Sequence, residues 1–297
     1  MSWITDRTID RLRDAASWPE LDDRYTITGV AGRGGMGTVY AARDHVLNRD
    51  VAVKVLDVAD QKGSRAARLT REAHILARLD HPGIVPVHDA GVLADGRSFY
   101  VMKLVRGRRL DEVLAAQSPQ AVRLDLFARV LDAVAFAHAH GVVHRDLKPE
   151  NVMAGAFGEV FVMDWGVAQD GAADAEPAIV GTPGFMPPEQ AGAREVDARA
   201  DIFALGAVLA QVMGSEPSRA LAAIAAKAQH PEPQARYQTV DQLAADLFRF
   251  RNQERVTAYS ESFLERVVRV YRRYEPAILL LLAYVVMRFV LLVAGGV

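Results

Sequence analysis

The 297-residue sequence contains no cysteine, which excludes disulfides and thiolate metal sites and is compatible with a reducing cytosol. It lacks a large excess of either charge, with 35 Lys and Arg against 37 Asp and Glu for a formal net charge of -2. No basic tract is interleaved with aromatics, so no nucleic-acid partner is expected. Met1 to Arg7 carry an acid and no apolar core segment, so no secretory signal is expected there. The stretch from Val167 to Gly181 has no Ser, Thr or Tyr, so it offers no hydroxyl for phosphorylation. What the composition does supply is ordinary for a globular chain, 51% hydrophobic and 24% charged, enough for one large or two small domains.

The densest polar cluster lies between Val143 and Val152, where a turn is bracketed by short β-like runs. A loop leaving Val142-Val143 and re-entering at Val152-Met153 can aim the Asp146 carboxylate, the Lys148 ammonium and the Asn151 amide into one cleft. That set suits phosphoryl transfer: one group orients a hydroxyl, one neutralises a phosphate and one holds a metal.

Upstream, residues 1–24 read as a polar leader helix with a weak stripe of Ile4, Ile9 and Leu12, stopped at Trp18-Pro19. Tyr25–Val30 and Thr38–Ala42 then form a β-hairpin around Gly32-Arg33-Gly34-Gly35-Met36-Gly37. Glycines there let backbone N–H groups approach phosphate oxygens that a Cβ would hold off. In Val51–Leu56, alternation puts three valines on one face and Lys54 on the other. A lysine in so apolar a strand wants a partner. In the helix from Arg65 to Leu79, Leu69, Glu72, Leu76 and Leu79 share one stripe. A Lys54–Glu72 ion pair accounts for both misplaced charges.

The run His144-Arg145-Asp146-Leu147-Lys148-Pro149-Glu150-Asn151 resembles the catalytic loop of the protein kinases, and the Lys two residues after the Asp resembles the serine/threonine branch. The glycine loop, Lys54 and Glu72 match the N-lobe of that family in order and spacing. The resemblance implies that ATP binds over Gly32 to Gly37, between Val39 and Ala52, with Lys54 on its α- and β-phosphates. It makes Met102 the gatekeeper and turns the backbones of Lys103 and Val105 to the adenine. Asp146 becomes the base that orients the acceptor hydroxyl, Lys148 steadies the γ-phosphate, and Asn151 and Asp164 hold Mg²⁺, with Mn²⁺ as an alternative. Asp164-Trp165-Gly166 stands where the family has Asp-Phe-Gly, with Leu76, Val87 and His144 stacked beside the Trp. Thr182 is implied to hydrogen-bond toward Asp146 and Lys148, Arg236 to anchor Glu189, and Asp201 to brace the catalytic loop. Asp170, Asp174 and Glu176 are either standing substitutes for a phosphate at Arg145 or plain solvated acids.

Two departures stand out. Only Ser215–Ser218 separates Gly214 from the helix 219–229, where the family carries a long loop and one more helix (αG). Its loss should leave apolar C-lobe surface to be covered by the leader, another molecule or a membrane. At the other end, residues 253–275 contain a basic amphipathic helix that Pro276 is expected to interrupt. Ala277 to Val297 is apolar apart from Arg288, long enough at about 1.5 Å per residue to cross a hydrocarbon core of about 30 Å. Arginines on its N-terminal flank favour a cytoplasmic domain; docking on the domain or dimerisation in solution is the other option.

The expected fold is therefore α+β: a two-lobed protein-kinase fold with an antiparallel N-lobe sheet plus one helix (25–102), a hinge (103–107) and a mainly helical C-lobe (108–252). A single transmembrane helix (276–297) follows. The implied activity is transfer of phosphate from ATP to protein Ser or Thr hydroxyls in signalling at the cytoplasmic membrane, with a homodimer as a further option. The rivals are a non-catalytic kinase-like scaffold and a small-molecule phosphotransferase.

Overall fold

The computed structural model describes residues 18–34, 37–57, 64–116, 118–165, 181–192 and 196–294. The leader up to residue 17, Gly35, Met36 and the segment 166–180, with its acids, lie outside the described residues.

Five strands form one antiparallel sheet in the order β1-β2-β3-β5-β4: β1 Tyr25–Gly34, β2 Gly37–Asp44, β3 Arg49–Val55, β4 Val87–Val92 and β5 Ser98–Lys103. Alternation along β3 divides its work. Val51, Val53 and Val55 join Tyr25, Ile27, Tyr40 and Val101 in a cluster capped by Trp18 and Leu21. Ala52 belongs to the larger core on the other side, where helix α1 (Ser64–Arg78) crosses the sheet. A strand covered on both faces reads as an almost unbroken apolar run, and Lys54 is the exception in it. Gly37 is needed because a Cβ there would sit 2.2 Å from the Val55 carbonyl oxygen across the sheet.

Below the sheet come β6 (Gly107–Arg109), α2 (Leu110–Ala115), α3 (Gln120–Ala139), β7 (Val152–Gly155) and β8 (Val160–Val162). A short α4 (Pro188–Ala191) precedes α5 (Arg199–Val212), α6 (Arg219–Ala228) and α7 (Val240–Arg251). Strands β6, β7 and β8 make a small antiparallel sheet, and a 3₁₀ turn at Pro149–Asn151 feeds β7. Helix α3 is buried along Leu124, Phe127, Val130, Leu131 and Val134, a stripe at helical spacing. Helices α5 and α6 pack closely enough that a Cβ on Gly206 would lie 2.7 Å from the Ala228 Cβ.

The chain passes from α5 to α6 without an intervening helix. Among the described residues, the chain's own continuation packs onto the C-lobe beside α6. Val256 is buried, and Ala258 and Tyr259 pack against the core. The buried Asp246 carboxylate accepts from Tyr237 Oη (2.8 Å), Thr257 N (2.9 Å), Thr257 Oγ1 (2.6 Å) and Ala258 N (3.1 Å). Tyr259 and Arg219 both reach Glu265, so this segment closes against the start of α6. Arg249 Nη1 donates to Asp246 as well, at 2.9 Å, and hydrogen bonds to an ionised acceptor are stronger than neutral ones.

The expected interruption at Pro276 is also absent. Helix α8 runs from Phe263 to Ala294 and continues through Pro276, where the missing N–H removes one hydrogen bond at a cost of roughly 3 kcal/mol. From Leu279 to Met287 every side chain is exposed. Among the described residues, no helix is long and apolar enough to cross a membrane.

Candidate active site

The cleft between the lobes has a volume of about 400 Å³. Its wall includes Gly32, Arg33, Gly34, Gly37, Val39, Lys54, Glu72 and Met102 from above, and Asp146, Lys148, Asp164 and Trp165 from below. Ala52, Lys103 and Val105 are not part of that wall. Ala52 is buried opposite Met102 in the β3–β5 register, and the Lys103 backbone N–H donates to the Pro86 carbonyl oxygen (3.1 Å). The Lys103 ammonium lies 4.5 Å from the centroid of the Phe161 ring.

Strand β3 delivers Lys54 and helix α1 delivers Glu72, and the lysine Nζ donates to both carboxylate oxygens at 2.8 and 2.9 Å. The same Nζ reaches Asp164 Oδ1 at 3.1 Å. Burial pulls the Lys54 pKa down, but Glu72 and Asp164 more than offset it, so the ammonium is held above its ordinary value. Burial pushes Asp164 up, and Lys54 more than reverses that, leaving the carboxyl below its ordinary value. Tyr100, in β5, also donates to Glu72 Oε1 at 2.9 Å. The sequence gives no sign of this, since tyrosine in an apolar strand is indistinguishable from core.

The lower rim is a closed ring of contacts. Thr182 Oγ1 donates to Asp146 Oδ1 (2.9 Å), and Lys148 Nζ donates to Thr182 Oγ1 (2.7 Å) and Asp146 Oδ2 (2.9 Å). Asn151 Nδ2 donates to the Asp146 carbonyl oxygen (2.9 Å) and Oδ2 (3.2 Å). The loop carrying these groups turns through Arg145 at φ 69°, a left-handed conformation that costs a non-glycine residue about 1 to 2 kcal/mol. Asp201, fully buried at the start of α5, offsets that cost by accepting from the backbone N–H groups of His144 and Arg145, each at 2.8 Å, and from His138 Nε2 at 2.7 Å. Burial pushes the Asp201 carboxyl up, but the His138 hydrogen bond leads the effects that bring it below its usual range.

Behind Asp164, the Trp165 indole is fully buried, donates to the Val162 carbonyl oxygen (3.2 Å) and lies against His144 with ring centroids 4.6 Å apart. His144 Nε2 meets the Met163 carbonyl oxygen at 2.9 Å. Asp164 itself has φ 58°, so both neighbours of this strained residue are fastened. Farther out, Arg236 donates to both oxygens of Glu189, at 2.6 and 2.8 Å, and Gln190 Nε2 reaches the Arg145 carbonyl oxygen at 2.7 Å. Among the described residues, the buried Arg145 Nε has no hydrogen-bond partner.

The protein kinase domain family matches residues 25–267. Similar curated proteins include the serine/threonine-protein kinase PknB of Mycobacterium tuberculosis, 36% identical over 79% of this chain and 44% of that protein. The DNA damage-responsive serine/threonine-protein kinase RqkA of Deinococcus radiodurans is 40% identical over 66% of this chain and 30% of that protein. The solved PknI kinase domain of Mycobacterium tuberculosis matches with a TM-score of 0.61 at 26% identity, covering 77% of this chain and 96% of that one. The chain spans less than half the length of these curated relatives.

Breaking the upper pair should be costly. Lys54→Met leaves Glu72, 1% exposed, without its cation, and stability should fall by about 3 to 5 kcal/mol. Urea unfolding measures it; an unchanged or higher midpoint would show that the pair is not a strained buried charge set.

Proposed function

The chain belongs to the protein kinase domain family, and from that premise we propose that it transfers the γ-phosphoryl group of ATP to Ser or Thr hydroxyls of proteins. The observation that carries this is the ring of Asp146, Lys148, Thr182 and Asn151 opening into the same cleft as Lys54, Glu72 and Asp164. A hydroxyl oxygen already sits 2.9 Å from Asp146 Oδ1, as Thr182. A substrate hydroxyl beside the same carboxylate would be oriented toward the cleft and would give up its proton there as its oxygen bonds to phosphorus and ADP leaves. Lys148 sets a positive charge at that point, and Lys54 supplies another deeper in.

The donor set fits a nucleotide-borne Mg²⁺. Asn151 engages Asp146 through Nδ2, which leaves its Oδ1 as an oxygen donor, and the Asp164 side chain is 46% exposed to the cleft. Asn151 and Asp164 would share the ion with the substrate phosphates, which supply further oxygens. When bound, Mg²⁺ would neutralise phosphate charge. Mn²⁺ offers the same chemistry. The glycine loop leaves room for phosphates, since a Cβ on Gly32 would meet nothing within 4 Å.

A catalytic enzyme and a kinase-like scaffold part company at Asp146. Labelled ATP should place phosphate on Ser and Thr, with none on Tyr, and Asp146→Asn should lower the rate by at least about 100-fold. Undiminished labelling in the variant would remove Asp146 from the mechanism. An absence of labelling in both proteins, despite nucleotide binding, would favour the scaffold.

We also propose that α8 anchors the domain to a membrane, with the domain on the cytoplasmic side. Its exposed stretch, Leu279 to Met287, is apolar on all sides, a pattern that water does not favour and lipid does. The thirteen Leu, Ile, Val and Phe residues of 277–297, at up to about -0.3 to -0.6 kcal/mol each, outweigh one Arg288 at roughly +2.5 to +3.5 kcal/mol. Full-length chain should stay with membranes through an alkaline carbonate wash. Recovery as a soluble monomer would contradict the anchor.

A further inference from the structure

In the register between β3 and β5, Lys54 lies directly opposite Tyr100. Paired residues across a sheet present their side chains to the same face, here the face that α1 covers. Both side chains end on one carboxylate: Lys54 on both oxygens of Glu72, Tyr100 Oη on Oε1 at 2.9 Å. Tyr100 is 2% exposed and Glu72 1% exposed, so water cannot readily take the place of either partner. Burial, followed by the Glu72 charge, holds the phenol well above its ordinary pKa, and Tyr100 is therefore a neutral donor at any working pH.

Lysine has three N–H donors, and Lys54 already directs them to three oxygens, two on Glu72 and one on Asp164. In the proposed reaction the same ammonium must turn toward nucleotide phosphates. Each such contact competes for a donor that Glu72 or Asp164 now holds. A carboxylate held by lysine alone would then keep a buried oxygen without a donor, at a substantial desolvation cost. The tyrosine hydroxyl is indifferent to that movement, and it ties Glu72, and with it α1, to the sheet.

We infer that Tyr100 is a positioning residue, which holds the Glu72 carboxylate and helix α1 in place so that Lys54 can be shared with the phosphates of the nucleotide. The inference rests on the proposed kinase reaction for its consequence and on the Tyr100–Glu72 contact for its cause. The two can be tested apart.

Tyr100→Phe in the full-length chain keeps the ring and removes only the hydroxyl. In the nucleotide-free protein, hydrogen exchange of the α1 amides from Leu69 to Leu76 should quicken about tenfold, with α5 and α7 unchanged. In turnover, KM for ATP should rise about tenfold while KM for the protein substrate stays as in the wild type. Because the hydroxyl acts through Glu72, the substitution should add nothing to α1 exchange in a Glu72→Ala background. Wild-type exchange in Tyr100→Phe would overturn the inference. So would a rise spread equally over all helices, a fall in kcat with unchanged KM for ATP, or an undiminished effect beside Glu72→Ala. If the wild-type chain transfers no phosphate, the proposed function fails while the exchange measurements still decide the role of Tyr100.

Discussion

A single ammonium in an apolar strand organises the upper half of this molecule. Lys54 is 8% exposed, and a charge so placed is destabilising unless oxygens surround it. Helix α1 must therefore present Glu72, and the loop after β8 must present Asp164, at about 3 Å each. Those two requirements bring an N-lobe helix and a C-lobe loop to one point and so define where the lobes meet. Tyr100 adds a donor that does not depend on the lysine. The cleft lies directly beside this set, and the proposed chemistry uses charges that the fold already has to assemble.

The lower half meets its own constraint through buried carboxylates that collect backbone groups. Asp201 gathers two consecutive N–H groups of the loop that carries Asp146, which fixes a left-handed residue the chain would otherwise avoid. Glu189 and Arg236 fasten the segment after Thr182. Asp246 captures Thr257 and Ala258, and this draws the continuation of the chain across the surface beside α6. The start of α8 is thus set by the same device that sets the site.

Much of this is legible in the sequence where a charge breaks a pattern. Glu72 interrupts a helical apolar stripe and Lys54 an alternating strand, and each misplacement points to the other. The clustered Asp146, Lys148 and Asn151 are legible for the same reason, since so many polar groups in one turn require mutual contacts. Tyr100 is silent because it breaks nothing: its ring belongs in the core, and only the register across β5 reveals what its hydroxyl touches. The partnership of His138 with Asp201 is hidden by 63 residues of separation. The cover beside α6 is equally hidden, since Thr257 and Ala258 carry no periodic signal and Asp246 looks like a solvated residue of α7. Proline at 276 misleads because its cost is local, while the helix on either side of it is long.

In the proposed reaction one cleft brings nucleotide phosphates to both the Lys54 set and the Asp146 ring. A crystal structure of the full-length chain with Mg²⁺ and a non-hydrolysable ATP analogue tests it most directly. The terminal phosphate should lie between Lys148 and Asp164 beside the Asp146 carboxylate, with the metal on Asn151 and Asp164 and the inner phosphates on Lys54. A nucleotide seated elsewhere, or one whose terminal phosphate points away from Asp146, would rule the proposed reaction out.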